Sequence, residues 1–214
     1  MNVLIPDSWL REHLKTRATS KEIAKYLSLS SQSVEKTTKT SDDWVYEIEI
    51  TTNRPDCLAI YGLARELAAI LPRFGIKAKL QPLRITDKIV PQKSLPLKVK
   101  IAKTSLCPRF TALIFDQITV KPSPKIVQER LEKAGVRALN NVVDISNYLM
   151  LELNQPMHTF DYDKVKGAKM TLRESKSGEK ITTLDGVSRE LPNGAMIIKD
   201  ARGRIIDLCG IMGG

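Results

Sequence analysis

Apolar and polar residues alternate over residues 44–50, so that Trp44, Tyr46, Ile48 and Ile50 would all point to one side. A repeat of two predicts a β-strand with one buried face. Residues 34–37 stand on the other side of the polar stretch 40–43 and can pair with that strand as a hairpin. Earlier in the chain, Thr19 and Glu22 have the spacing of a capping box, which predicts a helix beginning there.

A different spacing follows the hairpin. Its apolar residues recur every three or four positions: Ile60, Leu63, Ala64, Leu67, Ala68 and Leu71. This pattern predicts a helix with one buried stripe, closed by Pro72 and Gly75. Pro55 favours an extended Arg54, and Asp56 is placed to cap the start of the helix.

The second half of the chain alternates in shorter runs. Residues 95–101 and 110–118 are predicted strands, and Ser123-Pro124 and Gly135 bound a predicted helix. A second helix is predicted over 141–153. Five further strands are predicted at 169–173, 180–184, 187–191, 196–199 and 204–209, with Asp185-Gly186 as a hairpin turn. Several short strands with regular turns are typical of a small barrel or sandwich. The fold class is therefore α+β: a helical N-terminal domain with a hairpin, then a barrel-like, β-rich domain with flanking helices.

Composition narrows the class of protein. The chain has 214 residues, 42% of them apolar, which is enough to build a core. No run approaches the roughly 18–20 uncharged apolar residues of a membrane span. Three widely spaced cysteines give neither a disulfide framework nor a zinc site, so we expect a reduced, cytoplasmic protein without a bound metal.

The formal net charge of +10 suggests an anionic partner. The positively charged residues are densest over residues 84–103, where Asp87 is the only acidic residue. The basic residues there are Arg84, Lys88, Lys93, Lys98, Lys100 and Lys103. These six residues are candidate RNA-binding residues. The alternative is a solvated, lysine-rich linker, and residues 85–96 are predicted to be the linker between domains.

No nucleotide-binding, metalloprotease or redox motif is present in the sequence. His158 lies in a predicted loop after a helix, where binding residues tend to occur, although a lone loop histidine is more often structural. Asn147 and Asp144 are polar residues in a mostly apolar helix, so each needs a partner in a loop or faces a cavity. The final glycines, including Gly210 and Gly213, allow close approach of backbone to another strand or to a ligand.

Several long blocks, in this order, resemble the N-terminal part of the bacterial phenylalanyl-tRNA synthetase beta subunit. They are Ile50-Thr51-Thr52-Asn53-Arg54-Pro55-Asp56-Cys57-Leu58, Gly62-Leu63-Ala64-Arg65-Glu66, Cys107-Pro108-Arg109-Phe110, Val142-Val143-Asp144-Ile145-Ser146-Asn147-Tyr148, residues 151–161, Leu184-Asp185-Gly186 and Gly210-Ile211-Met212-Gly213-Gly214. Together they cover nearly the whole chain.

The resemblance implies a cytoplasmic tetramer of two alpha and two beta chains that attaches phenylalanine to its tRNA with ATP and magnesium. The synthetic site would lie on the alpha subunit, with no cofactor bound to this segment. Residues 1–84 resemble the helical N-terminal domain. Residues 97–214 resemble a tRNA-editing domain of the B-three/four type, which hydrolyses tRNA mischarged with tyrosine.

Matched by position, the editing pocket would contain Asn147, His158, Gly210 and Gly213, with Ser146 and Pro156 beside them; no catalytic residue is assigned. Two departures from the family accompany this match. Residues 33–44 leave no room for an inserted oligonucleotide-binding-fold domain, and the family's glutamate for the tyrosine hydroxyl lies beyond Gly214. We therefore expect a short form cut within the editing domain. The alternatives are a free-standing trans-editing hydrolase and a non-catalytic RNA-binding or assembly module.

Overall fold

In a computed structural model of the chain, which describes residues 1–83 and 95–214, contacts divide the polypeptide into two units. Unit 1 contains residues 1–83 and 119–159 of the described chain. Unit 2 contains residues 95–118 and 160–214. Residues 119–159, which fall within the second domain predicted from the sequence, thus pack with the N-terminal residues. Most of the expected linker, and Arg84, Lys88 and Lys93 with it, lies outside the described residues.

Besides two short 3₁₀ helices, the described residues of unit 1 form five strands and five α-helices. In chain order these are β1 (Asn2–Pro6), α1 (Asp7–His13), β2 (Leu14–Thr16), α2 (Ser20–Ser30), β3 (Ser33–Lys39), β4 (Trp44–Glu49), α3 (Ile60–Ile70), β5 (Ala78–Leu80), α4 (Lys125–Lys133) and α5 (Asn141–Leu153). The predicted hairpin is confirmed, since β4 pairs antiparallel with both β1 and β3. Tyr46, Ile48 and Ile50 are buried, as the alternation predicts. The capping box of Thr19 and Glu22 is also formed.

Helices α4 and α5 join unit 1 through aromatic and charged contacts with α1. The rings of Trp9 and Tyr148 lie 4.3 Å apart between centroids, and Tyr148 and Leu151 pack against the N-terminal core. Arg130 on α4 donates hydrogen bonds to the Tyr148 hydroxyl and to Glu12. Arg130 and Glu12 are 118 positions apart in the sequence. Local sequence patterns therefore do not predict that α4 and α5 pack with the N-terminal residues.

Unit 2 is built on one open sheet. Its strands are β6 (Lys98–Ile101), β7 (Lys169–Glu174), β8 (Lys180–Thr182), β9 (Ser188–Glu190), β10 (Met196–Lys199), β11 (Ile205–Leu208) and β12 (Met212–Gly213). Five of them form a sheet in the order β12-β11-β10-β7-β6, and β8 and β9 form a hairpin. The α+β class is confirmed. The described strands do not close into a barrel, because β6 and β12 are the two edges of the sheet.

Most predicted elements of the second half are found, and one is wrong. Helix α5 spans residues 141–153 as predicted, and Gly135 takes a left-handed φ of 79° just after α4. Residues 110–118 contain no strand among the described residues. Their composition favours a strand, but a strand also needs a neighbouring backbone to complete its hydrogen bonds.

The turn before α3 brings two backbone segments unusually close together. A short 3₁₀ helix, Pro55–Leu58, precedes α3, and Ala59 rather than Asp56 occupies the cap position. Asp56 therefore does not cap the helix as predicted. Its backbone carbonyl instead lies against Gly62, where an added Cβ would be only 1.7 Å from the Asp56 oxygen.

Because of that contact, we expect the substitution Gly62→Ala to destabilise the protein by about 1–3 kcal/mol, as overpacking does. In an exposed helix the same change would add roughly 1 kcal/mol of stability. Urea denaturation checks the sign. Lys21→Ala, on the exposed side of α2, is the control and should change stability by less than about 0.5 kcal/mol. A Gly62→Ala protein as stable as the parent would contradict the close approach.

Candidate functional site

Helix α5 carries two of the predicted pocket residues, and its N-terminus is fixed by side-chain hydrogen bonds. The Asn140 side chain caps the helix by accepting from the backbone N–H groups of Val142 and Val143, at 3.0 and 3.1 Å. Buried Asp144 accepts from the Ser123 hydroxyl at 2.6 Å and from the Leu139 N–H at 2.8 Å. Asp144 is thus a structural residue that ties the helix to two loops.

The two predicted pocket residues on α5 have different surroundings. Ser146 is buried, and its hydroxyl donates to the Val143 carbonyl at 2.7 Å within the same helix. Asn147 is half-buried, and its side chain has no hydrogen bond to any described residue. Its amide is therefore the group on this helix that remains able to bind a ligand or a water molecule.

The C-terminal end of α5 is held by a carboxylate that serves two partners. Glu152 accepts from the Trp9 indole N–H at 3.4 Å and lies 3.0 Å from Nε2 of His13. His13 is thus partly covered. Asn154 ends the helix in a left-handed conformation and donates to the Pro55 carbonyl at 2.8 Å. The loop after α5 therefore starts from a fixed point.

Pro156 and His158 lie on that loop, and both are exposed. His158 also makes an interaction within the described chain. The loop is anchored at Asn154, and the His158 side chain is exposed to solvent. The four predicted pocket residues of unit 1, Ser146, Asn147, Pro156 and His158, thus lie on one helix and the loop that follows it.

The terminal glycines belong to unit 2 and approach other backbone. Gly213 pairs with Asp207 across the β11–β12 ladder, and its carbonyl accepts from Leu184 N–H at 2.9 Å. Gly214 donates to the Ile206 carbonyl at 3.1 Å. Of the two possibilities left open by the sequence, close approach to another strand is found for this part of the block.

Gly210 forms part of the wall of a cavity in unit 2. The cavity has a volume of about 320 Å³ and is lined mainly by apolar side chains, among them Leu172, Met196 and Ile198. Gly210 has a φ of 74°, a conformation that favours glycine. The cavity is open to solvent, so that a small group can enter it.

Two thiols have raised pKa values. Burial raises the pKa of Cys209, which lines the cavity, to about 12, and the nearby Asp207 carboxylate adds to the shift. Burial likewise raises the pKa of Cys57 to about 11, with a further contribution from Asp56. Both thiols therefore remain protonated at neutral pH, which makes them poor nucleophiles.

The sequence gives no role to an ion-pair network that holds the loop before α3. Arg54 donates to the Asp56 carboxylate at 2.9 Å and to Glu66 at 2.7 Å, and Arg65 donates to Asp56 at 3.0 Å. The two arginines hold the pKa of Asp56 well below its usual range. In the sequence, only the opposite charges at positions 54, 56 and 66 point to this network. Residues 54–56 therefore have a structural role, since the network fixes the loop to α3.

Three of the candidate RNA-binding residues are described, and all are in unit 2. Lys98 and Lys100 lie on β6, and Lys103 forms an ion pair with Glu174 at 3.2 Å.

No group of three or more His, Cys, Asp or Glu side chains that could hold a metal is found within residues 1–83 and 95–214. None of the helices in this part of the chain is both long and apolar enough to cross a bilayer.

Comparison with known proteins gives consistent matches. The profile of the B3/4 domain family matches residues 106–214. The phenylalanine–tRNA ligase beta subunit of Carboxydothermus hydrogenoformans is 42% identical over 173 residues, and that of Clostridium tetani is 46% identical over the same length. Each match covers 81% of this chain and 21% of the relative, so the chain spans about a fifth of the length of these relatives.

A solved N-terminal fragment of the phenylalanyl-tRNA synthetase beta subunit from Pyrococcus horikoshii is also similar, with a TM-score of 0.46 and 13% identity. The match covers 100% of this chain and 62% of that one. The resemblance stated from the sequence blocks is confirmed by the curated relatives. The residues of the editing pocket and the boundaries of the domains stay predictions.

The reactivity of Cys209 tests whether its thiol is buried in the cavity wall. We expect Cys209 in the folded protein to react slowly with iodoacetamide at pH 8, and its rate to rise about tenfold per pH unit up to pH 10, because only the thiolate reacts. Peptide mass spectrometry measures the rate at each cysteine. Urea-unfolded protein is the control, in which all three cysteines should react alike. A rate at Cys209 that levels off below pH 9 would contradict this environment.

Proposed function

The chain belongs to the B3/4 domain family, and on that basis we propose that it is a section of the beta subunit of a phenylalanine–tRNA ligase. The observation that carries the proposal is the identity of 42–46% to such subunits over four-fifths of the chain. The complete enzyme attaches phenylalanine to its tRNA, with an alpha subunit as partner in a tetramer of two alpha and two beta chains. ATP and magnesium serve the synthetic reaction, which we assign to the alpha subunit. The protein acts in the cytoplasm.

Within this enzyme we propose that the section contributes to hydrolysis of tRNA mischarged with tyrosine. Tyrosine and phenylalanine differ by one hydroxyl group, and a site that hydrogen-bonds the hydroxyl can reject the analogue without it by roughly 10⁴–10⁵-fold. The half-buried Asn147 amide, unpaired within the described chain, and exposed His158 support a role in orienting the aminoacyl ester or a water molecule.

The glycines can serve the chemistry through their backbone. In ester hydrolysis, water attacks the carbonyl carbon, and negative charge develops on the carbonyl oxygen. Backbone N–H groups that meet this oxygen lower the barrier, and glycine permits the approach because it has no Cβ. Gly210, at the wall of the apolar cavity, is the residue best suited to this role. The cavity is large enough to hold an aromatic side chain.

Two other functions are kept as alternatives. A free-standing hydrolase would deacylate mischarged tRNA without an alpha subunit. A non-catalytic RNA-binding or assembly module would bind tRNA without cleaving the ester. Assaying Tyr-tRNA deacylation and phenylalanine attachment, each with and without an alpha subunit, separates the three.

We expect His158→Ala to lower the rate of Tyr-tRNA deacylation by the beta chain in complex with its alpha subunit by roughly a hundredfold, because a misplaced ester or water molecule reacts about that much more slowly. Phenylalanine attachment should not change. Gln155→Ala, an exposed neighbour on the same loop, is the matched control. Unchanged deacylation by the His158→Ala enzyme would overturn the editing role of this residue.

A further inference from the structure

One face of the five-stranded sheet in unit 2 carries basic residues on β6, β7 and β10, while Ile197, Ile205 and Leu208 on the same face are buried. Lys98 and Lys100 on β6 point to the same side as Lys169 on β7, because Lys98 is the register partner of Lys169 and Lys100 that of Thr171. Arg173 on β7 shares this side, and so does Lys199 on β10, the partner of Thr171. The opposite side of β7 carries Met170 and Leu172, which are buried in the core.

Two of the five cations are already neutralised and three are not. Glu179 accepts from Arg173 at 2.8 Å and lies 3.5 Å from the Lys199 ammonium. Lys98, Lys100 and Lys169 have no carboxylate within 4.0 Å among the described residues. Lys98 and Lys100 are exposed, and Lys169 is half-exposed. The face thus carries five cations against one carboxylate.

The placement of these lysines has an energetic cost within the fold. Like charges on neighbouring strands repel each other, and Lys98 and Lys169 are register partners on the parallel strands β6 and β7. A lysine on an edge strand does discourage strand addition, which would account for the residues on β6. It does not account for Lys169, since β7 is paired on both sides.

From this arrangement we propose that Lys98, Lys100 and Lys169 form a binding surface for the phosphate backbone of RNA. Residues two apart on a strand are about 6.6 Å apart, and neighbouring strands are about 4.8 Å apart, so the three ammonium groups can contact successive phosphates. Contact with phosphates releases counterions and is favourable for each lysine. The choice of RNA among polyanions rests on the proposed function.

An anionic membrane fits this face less well. Proteins that lie on membranes combine basic residues with apolar side chains that enter the lipid. The exposed part of this face, between Lys98 and Thr171, is polar or charged at every position. Ile197, the apolar residue on the same side of β10, is fully buried in a cluster with Ile181 of β8 and Leu191.

The test is the salt dependence of RNA binding by the 214-residue chain. The variant is Lys98→Gln/Lys100→Gln/Lys169→Gln, and the control is Lys21→Gln/Lys36→Gln/Lys125→Gln, which removes the same charge from exposed lysines elsewhere. Fluorescence anisotropy measures the affinity for a phenylalanine tRNA transcript and for an RNA hairpin of unrelated sequence. Circular dichroism confirms that each variant is folded.

We expect the face variant to lose at least about tenfold in affinity at low salt. Its slope of log K against log salt should fall by about 0.7–0.9 for each lysine that contacts a phosphate. Both RNAs should respond alike, since phosphate contacts do not read sequence. Lys98→Arg/Lys100→Arg/Lys169→Arg should retain the slope.

Two results would overturn the proposal: an equal loss in the control variant, and a face variant that binds RNA unchanged while losing affinity for phosphatidylserine vesicles. The assay contains no alpha subunit and no aminoacylated tRNA. A failure of the chain to support ligase or editing activity therefore leaves this measurement intact, and the two proposals fail separately.

Discussion

The contact between the rings of Tyr148 and Trp9 holds α5 against the N-terminal core, and the placement of the loop after α5 depends on it. The two rings lie 4.3 Å apart, Trp9 is fully buried, and the Arg130 guanidinium lies 5.5 Å from the Trp9 ring. Glu152 then accepts from the Trp9 indole, one turn along the same helix. These contacts join a helix from the middle of the chain to the first helix, and so decide where the loop bearing His158 begins.

This arrangement changes how the candidate site is organised. Sequence blocks alone suggest that every pocket residue belongs to one editing domain. In the structure, α5 and its loop, with Ser146, Asn147, Pro156 and His158, are part of unit 1, whereas Gly210 and Gly213 are part of unit 2. The residues that we propose to orient substrate are thus positioned by the N-terminal core. Substitutions far from the loop, in α1, can therefore change the position of α5 and of the loop that follows it.

Local features were predictable from the sequence, and long-range ones were not. Periodicity and caps are set by neighbouring residues, which is why the strand at 44–50, the capping box at Thr19 and the bounds of α5 are confirmed. The strand expected at 110–118 depends on a partner that no local pattern reveals. Asp56 is a residue type that often caps helices, but here its carboxylate accepts hydrogen bonds from Arg54 and Arg65 instead. The pairing of lysines across β6 and β7 is likewise a matter of register.

Native-state hydrogen exchange tests most directly the claim that α5 belongs to the N-terminal core. Trp9→Phe shortens the ring that Tyr148 contacts and removes the indole donor to Glu152, so it should lower the protection of α5 amides together with those of α1 and α3. Amides of β7 and β10 should keep their protection. Unchanged protection in α5, alongside a loss in α1 and α3, would contradict the account.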